Sequence, residues 1–296
     1  MSLPVATPPA TPTAPVVAAG RKRSGPHRGG SPLVWFVALV VVAVTLGPVL
    51  YAVLGGFRTN AQLADSPAGL PNPWVLENYQ RVLTSASFWR YALNSTVVAL
   101  ITTVVAVVFG LMAAYPLARY RFRWREPLYM VFVLGLLFPA TVAIIPLFII
   151  ITRQLHLGNT WWGVALPQAA FALPVTIIIL RPFLMAIPNE LEEAAVIDGA
   201  SRIQIFWRII VPMVSLPISV LAVTLIVNVI KLFDIPYVMT QGGPGDASRV
   251  IAFEMYKQDF AAGQYGKAAA VAVIMLLLLI PVMVFNVRRF RSSAVV

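Results

Sequence analysis

The 296 residues include no cysteine. That excludes a disulfide, a thiolate metal site and a thiol nucleophile, and with them redox chemistry on the chain's own side chains. Histidine is nearly as scarce: His27 falls in a polar tail and His156 in a short loop, neither with a ligand-spaced partner, so no metal site is expected. Charged residues make up only 11% of the chain, and no G-x-x-x-x-G-K-[ST] loop for nucleotide phosphates appears. The nearest match, Gly263-Gln264-Tyr265-Gly266-Lys267-Ala268, lacks the leading glycine spacing and the hydroxyl residue. No serine–histidine pair, paired carboxylates or metal-ligand grouping lies in the apolar segments, so the sequence does not read as an enzyme and no cofactor is expected in this chain.

What remains is overwhelmingly apolar. A hydrophobic content of 59% and a mean hydropathy of +0.83 describe a polytopic membrane protein and not a water-soluble globule. A helix needs roughly 20 mainly apolar residues to cross a hydrocarbon core of about 30 Å. Six segments qualify: 34–55, 91–118, 127–150, 162–186, 213–237 and 266–287. The expected fold is all-α, a polytopic membrane helix bundle with six transmembrane helices.

Lysine and arginine concentrate in short cytoplasmic loops. With the N-terminus inside, the run Arg119, Arg121, Arg123, Arg125 and the groups Arg181, Arg202, Arg208 and Arg288, Arg289, Arg291 all fall on the cytoplasmic face, which places both termini there. The net charge of +11 follows from this topology, so nucleic acid is not an expected partner; membrane lipid is. Residues 1–33, rich in Pro, Ala, Thr and Gly, are expected to form a disordered cytoplasmic tail, and 34–291 the membrane domain. Pro139, Pro146, Pro167 and Pro174 in the third and fourth segments favour kinks, although proline is also common in straight membrane helices.

The acids are concentrated in one place. Glu190, Glu192, Glu193 and Asp198 supply four of the eleven, between the fourth and fifth apolar segments. Residues 189–197 favour helix, with Pro188 at its start and acids near its positive end. Asp198-Gly199-Ala200-Ser201 supplies a turn, and a second helical stretch, 202–210, runs up to Val211-Pro212. Two short helices joined at Gly199 would make a compact cytoplasmic knob; the alternative is a solvated loop with an interfacial helix.

Glu193-Ala194-Ala195, three residues, Gly199, nine residues, Ile209, one residue, Val211-Pro212 resembles the EAA loop of ATP-binding-cassette (ABC) importer permeases, with Val211 where that pattern has leucine. Asn94-Ser95-Thr96, Ala114-Tyr115-Pro116-Leu117-Ala118-Arg119 and Ile187-Pro188-Asn189-Glu190-Leu191 extend the resemblance to the carbohydrate-uptake branch, the maltose-type inner-membrane permease subunits. The segment 233–245 is similar to the partner permease of the same importers, so either of the two permease positions fits. The resemblance implies a multi-pass subunit of a prokaryotic cytoplasmic (inner) membrane that forms a translocation path for a sugar or oligosaccharide. It implies a coupling loop at 187–212, with Glu192, Glu193, Ala194, Ala195, Asp198 and Gly199 meeting the ATPase. It also implies partners: two copies of an ATP-binding subunit that hold ATP and Mg, a second and related permease chain, and an extracytoplasmic solute-binding protein.

For the path itself, Asn228, Lys231 and Asp234 recur at three-residue intervals and are predicted to share one helical face. Ionisable groups at such depth face a cavity or one another, so they are read either as a polar wall for sugar hydroxyls or as a Lys231–Asp234 ion pair. Gln168 and Phe171 are a second candidate pair, since an aromatic face packs against a sugar ring; Trp161 and Trp162 are read as interfacial anchors. Gln241, Gly242, Gly243 and Gly245 form a glycine-rich outer loop, read as a receptor-docking element or a plain turn. Two other functions stay open at this point: an ion-coupled secondary transporter, and an ABC importer for a solute other than sugar.

Overall fold

The computed structural model describes residues 32–242 and 248–293, with side chains as far as Arg289. The tail expected over 1–33 lies outside the described residues up to position 31, and helix begins at Pro32. The chain divides into two compact units, Met1–Gly47 and Pro48–Val296. In chain order the helices are α1 Pro32–Gly55, α2 Asn60–Asp65, α3 Glu77–Leu83, α4 Ala86–Arg119, α5 Arg125–Gly135, α6 Ala140–Ile149 and α7 Trp161–Met185. They continue with α8 Asn189–Ile197, α9 Arg202–Ile205, α10 Val211–Met213, α11 Ser215–Ile230, α12 Ile251–Tyr256 and α13 Tyr265–Ser293. Wide π-helical turns cover Ile150–Gln154, Phe206–Ile210, Pro236–Thr240 and Lys257–Ala261. Among the described residues there is no strand, so the all-α expectation holds.

Four of these helices, α1, α4, α7 and α13, are individually long and apolar enough to cross a membrane. Two bent pairs bring the number to six if each is one span: 125–135 with 140–154, turning by 95°, and 202–213 with 215–230, turning by 71°. The third apolar segment is thus not one straight helix over 127–150. Pro139 has no N–H to give and its ring clashes with the carbonyl four residues back, that of Gly135, and α5 ends at Gly135. The fifth segment needs a similar correction: α11 stops at Ile230 instead of running to 237. Helix resumes only at 234, and Pro236 sits in the first turn of that next stretch, where its missing N–H costs no helical hydrogen bond. By contrast α7 runs unbroken through Pro167, Pro174 and Pro182.

The continuity of α7 goes with the most extensive helix pairing in the fold, against α4. The contact is close because Gly110 of α4 meets Thr176 of α7, both buried. A methyl group on Gly110 would overlap the Thr176 methyl and lie 2.9 Å from its Cβ. Alanine gains about 1 kcal/mol over glycine in helix propensity, but overpacking a tight core costs about 1–3 kcal/mol, and here the obstacle is a β-branched side chain held by its Oγ1 on the Ala172 carbonyl at 2.8 Å. Gly110→Ala is therefore expected to lower the melting temperature of the purified protein, with Thr176→Ala restoring part of the loss. An unchanged or higher melting temperature in Gly110→Ala would show that the two helices separate freely.

Two buried apolar clusters result. One joins α3, the first half of α4, the first turn of α7, the end of α11, α12 and α13. The other joins the second halves of α4 and α7 to the start of α11, and it takes in Ile187, Ala195 and Ile205 from the loop that carries α8 and α9. At the opposite end, segment 56–85 folds around Arg58, only 2% exposed, whose guanidinium donates to the carbonyls of Pro67 (2.9 Å) and Gln62 (2.5 Å) and to that of Ser66. Tyr79 of α3 donates to the Val53 carbonyl at 3.2 Å, and burial pushes its phenol above the usual range.

Candidate functional site

The knob between α7 and α10 is built from local signals. Helix α8 ends in a Schellman motif: the Ala200 N–H donates to the Ala195 carbonyl at 2.9 Å and the Gly199 N–H to Val196 at 3.0 Å. Gly199 has φ +83, the left-handed conformation that glycine adopts without steric cost. Ser201 then caps α9 in a reciprocal box with Gln204: its Oγ accepts from the Gln204 N–H at 3.3 Å, while the Gln204 Oε1 accepts from the Ser201 N–H at 2.8 Å. Glycine and serine together close one helix and open the next within three residues, which fixes the corner.

A latch fastens the knob to the membrane helices. Arg119, the last residue of α4 and 6% exposed, places Nε 2.7 Å from Glu192 Oε1. Its Nη1 donates to the Ile187 carbonyl at 2.6 Å and to Leu184 at 3.3 Å. The Tyr115 hydroxyl donates to the other Glu192 oxygen at 3.2 Å, and its ring meets Phe206 edge-on at 5.1 Å. One guanidinium thereby ties the ends of α4 and α7 to the first turns of α8, and Ala195 is buried beneath the helix. Glu192 is thus held against the ends of α4 and α7, although its side chain keeps 21% exposure; a lone arginine 73 residues upstream gave no local signal of this pairing. Glu193, Ala194, Asp198 and Gly199 are all exposed on the knob.

The second set of candidates is divided by the end of α11. Asn228 lies on that helix, Lys231 is its cap and Asp234 follows it, so the three do not share one helical face. All three are nonetheless exposed on the surface of this chain, and among the described residues no ion pair joins Lys231 to Asp234. Interleaved with them is an aromatic ladder that the sequence reading missed. Phe233 stacks on Tyr237 at 5.1 Å and packs against Tyr256 at 4.7 Å, Tyr237 meets Tyr256 edge-on at 5.3 Å, and Tyr256 leads to Phe260 at 5.0 Å. These rings come from two stretches some twenty residues apart, one around the Pro236–Thr240 turn and one across the end of α12 and the Lys257–Ala261 turn, which no single-segment pattern joins. Gln168 and Phe171 are both half-buried on α7.

A third set sits where α4 and α7 begin. The buried Asn94 donates to the Arg249 carbonyl and accepts from the Trp161 indole N–H, both at 2.9 Å. The hydroxyl of Ser95 accepts from the Ile251 N–H at 2.9 Å, and Arg249 reaches Tyr91 at 3.0 Å and Glu254 at 3.3 Å. Trp161, read from sequence as an interfacial anchor, is thus also a strut. The network pins the segment after the glycine-rich loop. Gln241 and Gly242 have φ of 51 and 80, and a methyl group on Gly242 would lie 3.0 Å from Phe253 and 3.1 Å from Arg249. Gly243 and Gly245 lie outside the described residues.

Residues 106–290 match the family described as binding-protein-dependent transport system inner membrane component, more than half of the chain. The chain belongs to that family. It is a multi-pass permease of the cytoplasmic membrane, a transport component and not itself a catalyst, and it works in an ABC importer with a solute-binding partner; an ion-coupled secondary carrier is set aside. The permease is similar to the diacetylchitobiose uptake system permease protein NgcG of Streptomyces coelicolor, at 32% identity over 270 residues that cover 88% of this chain and 84% of that protein. It is similar to the trehalose transport system permease protein SugB of Mycobacterium tuberculosis, at 37% identity over 176 residues, 60% of this chain and 64% of that one. In fold it matches a chain in the crystal structure of a bacterial ABC transporter involved in the import of the acidic polysaccharide alginate. The TM-score is 0.70 at 21% identity, over 86% of this chain and 95% of the other.

Proposed function

We propose that this permease forms part of the translocation path for a sugar or oligosaccharide and couples, through the loop 187–212, to separate subunits that bind ATP and Mg. The observation that carries the substrate class is the surface made by Asn228, Lys231 and Asp234 beside the Phe233–Tyr237–Tyr256–Phe260 ladder. Polar groups exposed on a membrane helix are costly against lipid, whereas a wet path between two permeases satisfies them. Amide, ammonium and carboxylate groups match sugar hydroxyls, and the electron-rich ring faces match the polarised C–H bonds of a pyranose. Relatives described as permeases for diacetylchitobiose and trehalose support the same class.

In this reading both termini and the knob are cytoplasmic, and the exposed Glu193, Ala194, Asp198 and Gly199 meet one of two copies of the ATP-binding subunit. A second, related permease supplies the opposite wall and the second knob. The loop with Gln241, Gly242, Gly243 and Gly245 meets the extracytoplasmic solute-binding protein, held at its base by Asn94 and Arg249; Gln168 and Phe171 line the path deeper in α7.

The test uses the assembled importer in proteoliposomes. Asn228→Ala and Lys231→Ala are each expected to lower saccharide uptake about tenfold, the worth of a hydrogen bond to a polar or charged partner. Subunit composition and basal ATP hydrolysis should stay the same. If Lys231→Ala and Asp234→Ala each destabilise the protein while the double variant recovers normal uptake, the pair is structural and the path lies elsewhere.

A further inference from the structure

The connection between α4 and α5 reads Arg119-Tyr120-Arg121-Phe122-Arg123-Trp124-Arg125, a strict alternation of arginine with aromatic residues. Tyr120 is extended, with φ −97 and ψ 141, and the segment turns only at 123–124 before α5 begins. The two outer arginines are engaged within the chain: Arg119 on Glu192, and Arg125 on Glu126 at 2.9 Å. Glu126 also pairs with Arg181, so its charge is already matched. Arg121 and Arg123 are exposed, and neither is paired with a carboxylate among the described residues. With Phe122, Arg125 and Glu126 they border an open recess of about 250 Å³. The rings are exposed as well: Tyr120 by 43%, Phe122 by 41% and Trp124 by 63%.

We propose that this recess binds the headgroup of an anionic phospholipid. Arg121 and Arg123 present planar guanidinium forks to the phosphate, and Tyr120, Phe122 and Trp124 lie at the boundary between headgroups and acyl chains, where amphipathic rings are favoured. The place is right for a lipid and not for a free anion. The segment ends α4, which is long enough to span the membrane, and opens the bent pair that begins at Arg125, so it sits at the membrane surface. The site is independent of the transported solute and of the coupling loop, although Arg119 links the segment to α8.

Trp124 supplies its own reporter. The assembled importer is reconstituted in phosphatidylcholine vesicles carrying a small fraction of either brominated phosphatidylglycerol or brominated phosphatidylcholine. Quenching lost on Trp124→Phe isolates the signal of that residue. At about one kilocalorie per mole for each arginine, two arginines give a preference of roughly thirtyfold for the anionic lipid. Arg121→Gln with Arg123→Gln should reduce the ratio to about one while leaving the melting temperature unchanged, since both side chains are exposed. Added salt should weaken the preference in the unaltered protein, which reads the same interaction without a substitution. Equal quenching by the two lipids, or a preference that survives the double substitution, overturns the proposal. Competition by inorganic phosphate would make it a free-anion site. Loss of the ATP-binding subunits from the double variant with lipid preference intact would make it a protein-docking surface.

Discussion

Arg119→Met is expected to destabilise the permease by about 3 kcal/mol and to abolish uptake, the largest effect of any single substitution considered. The guanidinium is almost fully buried and serves three acceptors, the Glu192 carboxylate and the carbonyls of Leu184 and Ile187. Removing it leaves a largely buried carboxylate with Tyr115 as its remaining partner, and breaking one side of a buried ion pair costs about 3–5 kcal/mol; the lower end applies because Glu192 is 21% exposed. A merely stabilising pair and a mechanical latch differ in what the double variant does. Arg119→Met with Glu192→Leu removes both charges, and it is expected to recover most of the melting temperature, because apolar replacement of a buried pair is often neutral. Uptake should not return, since the contact that joins α8 to α4 and α7 is then missing. Full transport in a thermally recovered double variant would show that the pair only holds the fold and transmits nothing.

Glu193→Lys is expected to do the reverse. Glu193 is exposed and takes part in none of the hydrogen bonds or ion pairs that fasten the knob, so its replacement should leave the melting temperature within error of the unaltered protein. If the exposed side of α8 is where the ATP-binding subunit docks, reversing one charge there places like against like or strands a desolvated partner. The expected outcome is a roughly hundredfold loss of affinity for that subunit, and uptake falls with it. Co-purification from mild detergent and a thermal melt, done on one preparation, decide it. Retention of the ATP-binding subunit by Glu193→Lys at normal stoichiometry would remove the knob's exposed side as the docking surface.

The two neighbouring glutamates therefore illustrate how far the sequence could be read. The EAA-loop resemblance places both in the ATPase contact. Position along a helix gives the angle between side chains, but only the packing of α8 on Tyr115 and Phe206 decides which angle faces inward. Gly199 and Ser201 needed no such help, since their capping bonds close within six residues and are specified by residue type alone. The proline signals fall between these cases. Pro139 breaks its segment into α5 and α6, whereas Pro167, Pro174 and Pro182 leave α7 continuous against α4.

By itself the sequence determined the class: absent thiols, scarce charge and long apolar segments leave no alternative to a helical membrane protein. It also determined the knob, because helix ends are set by short-range hydrogen bonds. Tertiary structure alone decided the latch, the aromatic ladder and the strut at Asn94. Arg119 and Glu192 are 73 residues apart, Phe233 and Tyr256 belong to separate stretches of chain, and Asn94 meets Arg249 across 155 positions. Contacts at such separations depend on which helices pack together, and in an almost uniformly apolar chain one face of a helix is nearly as apolar as another. Hydrophobic patterning, which orients helices in water, therefore carries little information here, and the few polar groups record the arrangement only once the helices are in place.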